Sequence, residues 1–330
     1  MEPSLLNSTM PALDSVAEVR ISGDGKECPV VLTFPGKIDN LEFCSAYKNE
    51  INALVLQHGA VLLRGLPIGS AEAFNSLFSI LAGEAMVYRN RTSPRDQVFR
   101  NVYTSTSHPS DQVIHMHTEN SYSTTYNRII AFYCLVPPVS GGETPIADER
   151  RLAAFLGPDI LDVFRQKGIQ YTRNTIPGIG LDWRTIYQTE DRLEVNRILE
   201  ESGMEYKWIS DDHLRVKWSL PAFQTHPITG EEVWFNHMYF GHRSLCDPNV
   251  LEFFDEEDLP FVTRYGDGTS IGDEVIRRFS DFYDRHSIVF RWEKDDLLLL
   301  DNMLFSHGRR AYKGKRTILT AMAQPITFQR

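Results

Sequence analysis

His115-Met116-His117-Thr118-Glu119 sets two imidazoles and a carboxylate at alternate positions. In a strand, residues two apart share a face, so all three side chains point to one side. Such a face is costly to bury, because an unpaired carboxylate loses far more hydration than one hydrogen bond returns. A divalent cation or a water-filled cleft is the natural compensation. Two imidazole nitrogens and one carboxylate oxygen on one face of an octahedron leave three positions open, as an iron(II) oxygenase needs for a chelating co-substrate and dioxygen. An H-x-E or H-x-H pair taken alone is also an ordinary hydrogen-bonded feature of a strand, so the metal reading requires a second, distant histidine.

That histidine is found in the C-terminal third. Leu297-Leu298-Leu299-Leu300 has the texture of a buried strand, Asp301-Asn302 turns the chain, and Phe305-Ser306-His307-Gly308-Arg309 follows. Arg316 comes next, at the head of a further strand-like run, Thr317 to Met322. A guanidinium there offers a planar, permanently charged fork. This suits a dicarboxylic co-substrate, whose keto-acid end chelates the metal while its far carboxylate needs a bidentate partner. An arginine is equally a common surface ion-pair partner, so Arg316 gains its weight from His117, Glu119 and His307.

The elements that must position these residues are legible in outline. Val30 to Phe34 reads as a short strand. Asn40 then caps an amphipathic helix through Leu41, Ala46, Ile51, Leu54 and Val55, which ends at His58-Gly59. Ala60 to Leu66 reads as a buried strand, and Ala71 to Ala82 as a helix with Phe74, Leu77, Phe78 and Leu81 on one face. Ile129 to Val136 is a nearly continuous apolar run closed by Pro137-Pro138 and a Gly141-Gly142 turn. Gly142 to Ala147 reads as a short strand and Asp148 as the cap of a helix carrying Leu152, Phe155 and Leu156. Asp191 and Glu194 have capping-box spacing at the head of a helix to Ser202. Strands return at Val233 to Asn236, Ile288 to Trp292, Leu297 to Leu300 and Thr317 to Met322, with helices between Gly272 and Arg285. Strand clusters broken by helices, without regular strand-helix alternation, predict a mainly β, α+β fold: a jelly roll with helical decoration.

The chain has 330 residues, 42% of them apolar, 11% aromatic and 24% charged, which suits one elaborated globular domain. The expected organisation is a single domain over 1–330. A mixed α/β portion (about 1–110) packs on the jelly-roll core, with a helical insert within about 148–290. The net charge of -10 argues against nucleic acid as a partner. The acidic run Asp255 to Asp258 reads as a solvated loop. Cys28, Cys44, Cys134 and Cys246 form no C-x-x-C pair and suit reduced thiols. Met1 to Leu6 lacks a basic region followed by an apolar stretch, and no run reaches the roughly 18 apolar residues of a membrane span. A cytoplasmic protein without membrane partners is the expectation; the oligomeric state is open.

Three stretches resemble the taurine dioxygenase and clavaminate synthase group of iron(II)/2-oxoglutarate oxygenases. They are His117-Thr118-Glu119-Asn120, Gly141-Gly142-Glu143-Thr144-Pro145, and Asp301-Asn302 through His307-Gly308-Arg309-Arg310-Ala311-Tyr312 to Arg316. Weaker likeness lies in His58 to Gly65 and in His226-Pro227-Ile228-Thr229-Gly230 leading to Trp234-Phe235-Asn236. The resemblance implies the double-stranded β-helix, a jelly roll. It also implies a facial triad of His117, Glu119 and His307, with Arg316 on the distal carboxylate of 2-oxoglutarate and Thr144 assisting it. The implied cofactors are Fe(II), 2-oxoglutarate as co-substrate, and dioxygen. The implied reaction is hydroxylation, desaturation or cyclisation of a small-molecule substrate, coupled to decarboxylation of 2-oxoglutarate to succinate.

Two positions depart from the taurine branch: Glu119 stands where that branch usually has Asp, and Thr320 stands where it has a second, substrate-binding Arg. A sulfonate substrate is therefore not expected. His115 is either a pocket residue or an ordinary strand imidazole. Two alternatives stand beside the oxygenase: a cupin-like metal protein, suggested by His115-x-His117, and a catalytically silent jelly-roll binding module. Arg309, Arg310, Asn236 and His237 are candidates near the mouth of the site, each equally readable as structural.

Overall fold

Ile129 to Val136, the long apolar run of the sequence, lies within Thr125–Val136, a central strand because only a position flanked on both sides satisfies so buried a backbone. The computed structural model describes residues 12–22, 27–34, 38–88 and 95–328; Met1 to Leu6 lies outside them. The main sheet has eight strands in the order Glu18–Ser22, Glu27–Thr33, Ala60–Arg64, Leu297–Asp301, Thr125–Val136, Thr317–Thr327, Val102–Thr104, Gln97–Phe99. Pairing is antiparallel apart from Glu27–Thr33 on Ala60–Arg64, which is parallel. A smaller sheet of Ile114–His117, Phe305–Arg309 and Ile146–Asp148 faces it. One apolar core lies between the two, with Ile130, Phe132, Leu298, Leu300, Phe305 and Met322 fully or almost fully buried. This is the jelly-roll core with helical decoration that the pattern predicted.

The outer face of the main sheet is covered by helices Asn40–Ala46, Lys48–His58 and Ala71–Ala82. The last matches its expected bounds and buries Phe74, Leu77, Phe78 and Leu81. The first expected helix is two. Asp39, not Asn40, caps the start by accepting from the amides of Leu41 and Glu42, and the chain breaks at Tyr47. Asn40 instead donates to the Pro67 carbonyl. Gly59 ends the second helix at φ +79°, where a Cβ would fall 2.1 Å from the Phe305 ring.

Other expectations change in detail. Gly142 to Pro145 is not strand; the pairing segments are Ser140–Gly141 and Ile146–Asp148. Asp148 does cap, accepting from the Arg150 amide. Asp191 caps Arg192–Glu201, but Glu194 accepts from Thr189 Oγ1, so the capping box is not closed. Ile288 to Trp292 makes a single bridge to Ile146 and is otherwise unpaired. The region beyond 148 carries helices, among them Asp273–His286. It also holds a four-stranded antiparallel sheet of Glu205–Trp208, Leu214–Leu220, Ile169–Thr175 and Phe261–Tyr265. Among the described residues, no helix is long and apolar enough to cross a membrane.

Candidate metal centre

His117 and His307 lie on neighbouring strands in direct register, which sets two imidazoles side by side with ring centroids 4.5 Å apart. Glu119 is not part of that strand. It sits just past the strand end at His117, held by its own backbone: its amide donates to Asn302 Oδ1 (2.7 Å) and its carbonyl accepts from Asn302 Nδ2 (2.9 Å). The carboxylate thereby turns back, bringing Oε2 to 4.0 Å from His117 Nε2 and 3.9 Å from His307 Nε2. The donor atoms of the three residues lie within 4.8 Å of one another. Among the described residues, they form the one group of three or more such side chains close enough to hold an ion.

The local chemistry suits a cation. Burial holds both imidazoles below their ordinary pKa, so the neutral, ligating form is favoured. His117 Nδ1 contacts the His115 carbonyl at 2.8 Å, which places the proton on Nδ1 and leaves Nε2 a free lone pair. His307 Nδ1 has no partner among the described residues. Two neutral nitrogens and a carboxylate oxygen make a donor set that suits iron(II). His115 itself packs at right angles to the Tyr239 ring (6.3 Å between centroids) and stays out of the group.

Two residues invisible to sequence reasoning complete the surroundings of Glu119. The Tyr88 hydroxyl donates to Oε1 at 2.9 Å, and Arg95 Nη2 donates to Oε2 at 2.5 Å. Both side chains are buried. Phe132 packs on the His307 ring (4.9 Å), while Phe240 and His237 pack on that of His117 (5.0 and 5.5 Å).

Arg316 and Thr144 open onto the same space. Arg316 Nε donates to the Gly142 carbonyl (2.9 Å), Nη1 to Ser105 Oγ (3.3 Å) and Nη2 to Thr144 Oγ1 (3.4 Å). Trp292 Nε1 donates to the same Thr144 oxygen at 3.2 Å. Gly142, at φ +70°, is needed here because a Cβ would meet Arg316 Cδ at 3.0 Å. Burial and the nearby Arg309 push the Arg316 guanidinium down to about 10, still charged at neutral pH. One cavity is walled by His117, Glu119, His307, Thr144, Arg316 and Arg95, among others. Of the residues suspected at its mouth, His237 and Arg309 line it. Arg309 is buried, with its Nη atoms on the carbonyls of His108, Pro109 and Gln112. Asn236 is structural, donating to Ala222 O, and Arg310 is exposed. Thr320 donates to the Ala131 carbonyl inside the main sheet.

Comparison with known proteins agrees. The family model described as "Taurine catabolism dioxygenase TauD, TfdA family" matches residues 33–322. Dapdiamide synthesis protein DdaC of Enterobacter agglomerans is 35% identical over 280 residues, 84% of this chain and 85% of that protein. A clavaminate synthase-like protein of Arabidopsis thaliana is 25% identical over 287 residues, with 84% and 85% covered. PvcB from Pseudomonas aeruginosa shares the fold at TM-score 0.52 and 15% identity, over 89% of this chain and 84% of that one. AAD-2, solved with Mn(II) and N-oxalylglycine, shares it at TM-score 0.55 and 12% identity, over 93% and 96%. The cupin-like and silent-module alternatives fall away: the chain belongs to the TauD, TfdA family and is an Fe(II)- and 2-oxoglutarate-dependent oxygenase.

Proposed function

We propose that His117, Glu119 and His307 hold the iron, that Arg316 with Thr144 receives the distal carboxylate of 2-oxoglutarate, and that a small molecule is oxidised in the same cavity. The observation that carries this is that one cavity is walled by all five residues. The chain works as a single oxygenase domain, since Ala60–Arg64, from its N-terminal part, and Leu297–Asp301 pair within one sheet.

With 2-oxoglutarate and dioxygen, bound iron(II) supplies the power to oxidise a C–H bond while succinate and carbon dioxide leave. The protein's share is position and exclusion of water. Tyr88 and Arg95 fix the Glu119 carboxylate, and the His115 carbonyl fixes the His117 tautomer. Phe132, Phe240 and His237 wall the space around the imidazoles. Trp292 and Arg316 orient Thr144. No general base or nucleophile is required.

Equilibrium dialysis against Fe(II) under argon, with and without 2-oxoglutarate, tests the assignment. One ion per chain in the native protein is expected, with loss in His117→Ala and in Glu119→Ala. Full retention of the ion in both variants would remove it.

A further inference from the structure

Arg95 is used only in part. Its side chain is 4% exposed, lies over the Tyr88 ring (4.8 Å), and spends Nη2 on Glu119 Oε2. Nε and Nη1, both buried, have no hydrogen-bond partner among the described residues. A buried guanidinium with two unpaired nitrogens is expensive, because each N–H has lost water without replacement. Arg95 is also on the wall of the cavity that holds the triad.

The charge arithmetic sharpens this. Glu119 is the one carboxylate among the residues walling the cavity, and it is the group the iron claims. Once the iron shares that charge, Arg95 is left a buried cation whose anionic partner is committed elsewhere. The dianion of 2-oxoglutarate offsets the iron, not Arg95, and its far end is received by Arg316. A further anion is what the site lacks, and an unpaired guanidinium N–H is a charge-assisted donor to a carboxylate oxygen.

We infer that Arg95 determines substrate specificity by donating an unpaired guanidinium N–H to a carboxylate of the primary substrate. This rests on the oxygenase reading of the cavity given above. It gives this chain an anion receptor on the Glu119 side of the site, whereas Thr320 is spent inside the sheet.

The test uses the whole enzyme loaded anaerobically with Fe(II) and saturating 2-oxoglutarate, titrated with acid/amide pairs of one shape: hexanoate with hexanamide, and 3-phenylpropionate with 3-phenylpropionamide. Perturbation of the visible iron–2-oxoglutarate band reports binding. The acids are expected to bind at least tenfold tighter than their amides, with the preference erased in Arg95→Gln and partly restored in Arg95→Lys. Acids and amides acting alike in the native enzyme, including neither acting, overturns the proposal. So does Arg95→Gln that weakens Fe(II) binding while keeping the acid preference, which marks Arg95 as a holder of Glu119 alone. Failure of the band to form in the native enzyme fails the oxygenase reading itself, and the inference with it.

Discussion

Asn302 clamps the backbone of Glu119 across 183 positions of sequence, accepting from its amide and donating to its carbonyl while also reaching the Asn127 carbonyl. This clamp, more than strand geometry, sets where the carboxylate points. Asn302→Ala leaves three buried backbone groups unpaired, so a loss of about 3 kcal/mol in unfolding free energy is expected, with metal affinity down about tenfold or more. Denaturant unfolding and metal titration of the same preparation measure both. An unchanged metal affinity would show that Glu119 is positioned by something else.

Arg316→Gln should raise the KM for 2-oxoglutarate by about a hundredfold, the consequence of losing a charge-assisted contact worth about 2–3 kcal/mol. Fe(II) affinity in the absence of 2-oxoglutarate should stay within about twofold. Thr144→Val should move the same KM by about tenfold or less, because Thr144 contributes a single neutral hydroxyl, already shared with Trp292. Equal KM values for the native enzyme and Arg316→Gln contradict the co-substrate role.

Tyr88→Phe deletes the hydroxyl that donates to Glu119 Oε1 and leaves the packing of the ring in place. The expected result is about a tenfold weaker metal site with little change in melting temperature. Competition with a chelator of known affinity is a suitable measurement.

Glu149 supplies a pH dependence. It is fully enclosed, its Oε1 accepts from the Tyr283 hydroxyl, and burial raises its carboxyl to about 8. A folded-state pKa raised above the unfolded value means that the unfolded chain releases this proton first. The contribution to stability is therefore complete below the ordinary carboxylate range and is lost as pH rises to about 8. The slope is at most about 1.4 kcal/mol per pH unit. Glu149→Gln should flatten that slope in the metal-free protein, gaining on the native chain at pH 8 relative to pH 5. Parallel stability profiles would show that Glu149 is ionised in the fold.

Much of this was legible in the chain because strong local signals coincided. Ala71–Ala82 has a clean 3.6-residue stripe and a capping Ser70, and the four leucines Leu297 to Leu300 form an unbroken apolar run because neighbouring strands flank them on both sides. The triad was legible because motif order, not local geometry, carried it: the alternation that suggested three side chains on one strand face ends at His117, and Glu119 arrives by the Asn302 clamp. Ile288 to Trp292 has strand texture, yet its only pairing among the described residues is the bridge from Ile288 to Ile146. Leu214–Leu220, by contrast, alternates buried and open positions, and its period of two was there to be read. Arg95 and Tyr88 carried no such signal. Each lies outside the helices and strands, and long-range packing alone brings it to Glu119.

The most direct measurement is the anaerobic difference spectrum of Fe(II) with 2-oxoglutarate, recorded for the native chain and for His307→Ala. A weak visible charge-transfer band is expected in the native protein and not in the variant. No band in the iron-loaded native protein, or the same metal content and band with His307 removed, would contradict the site.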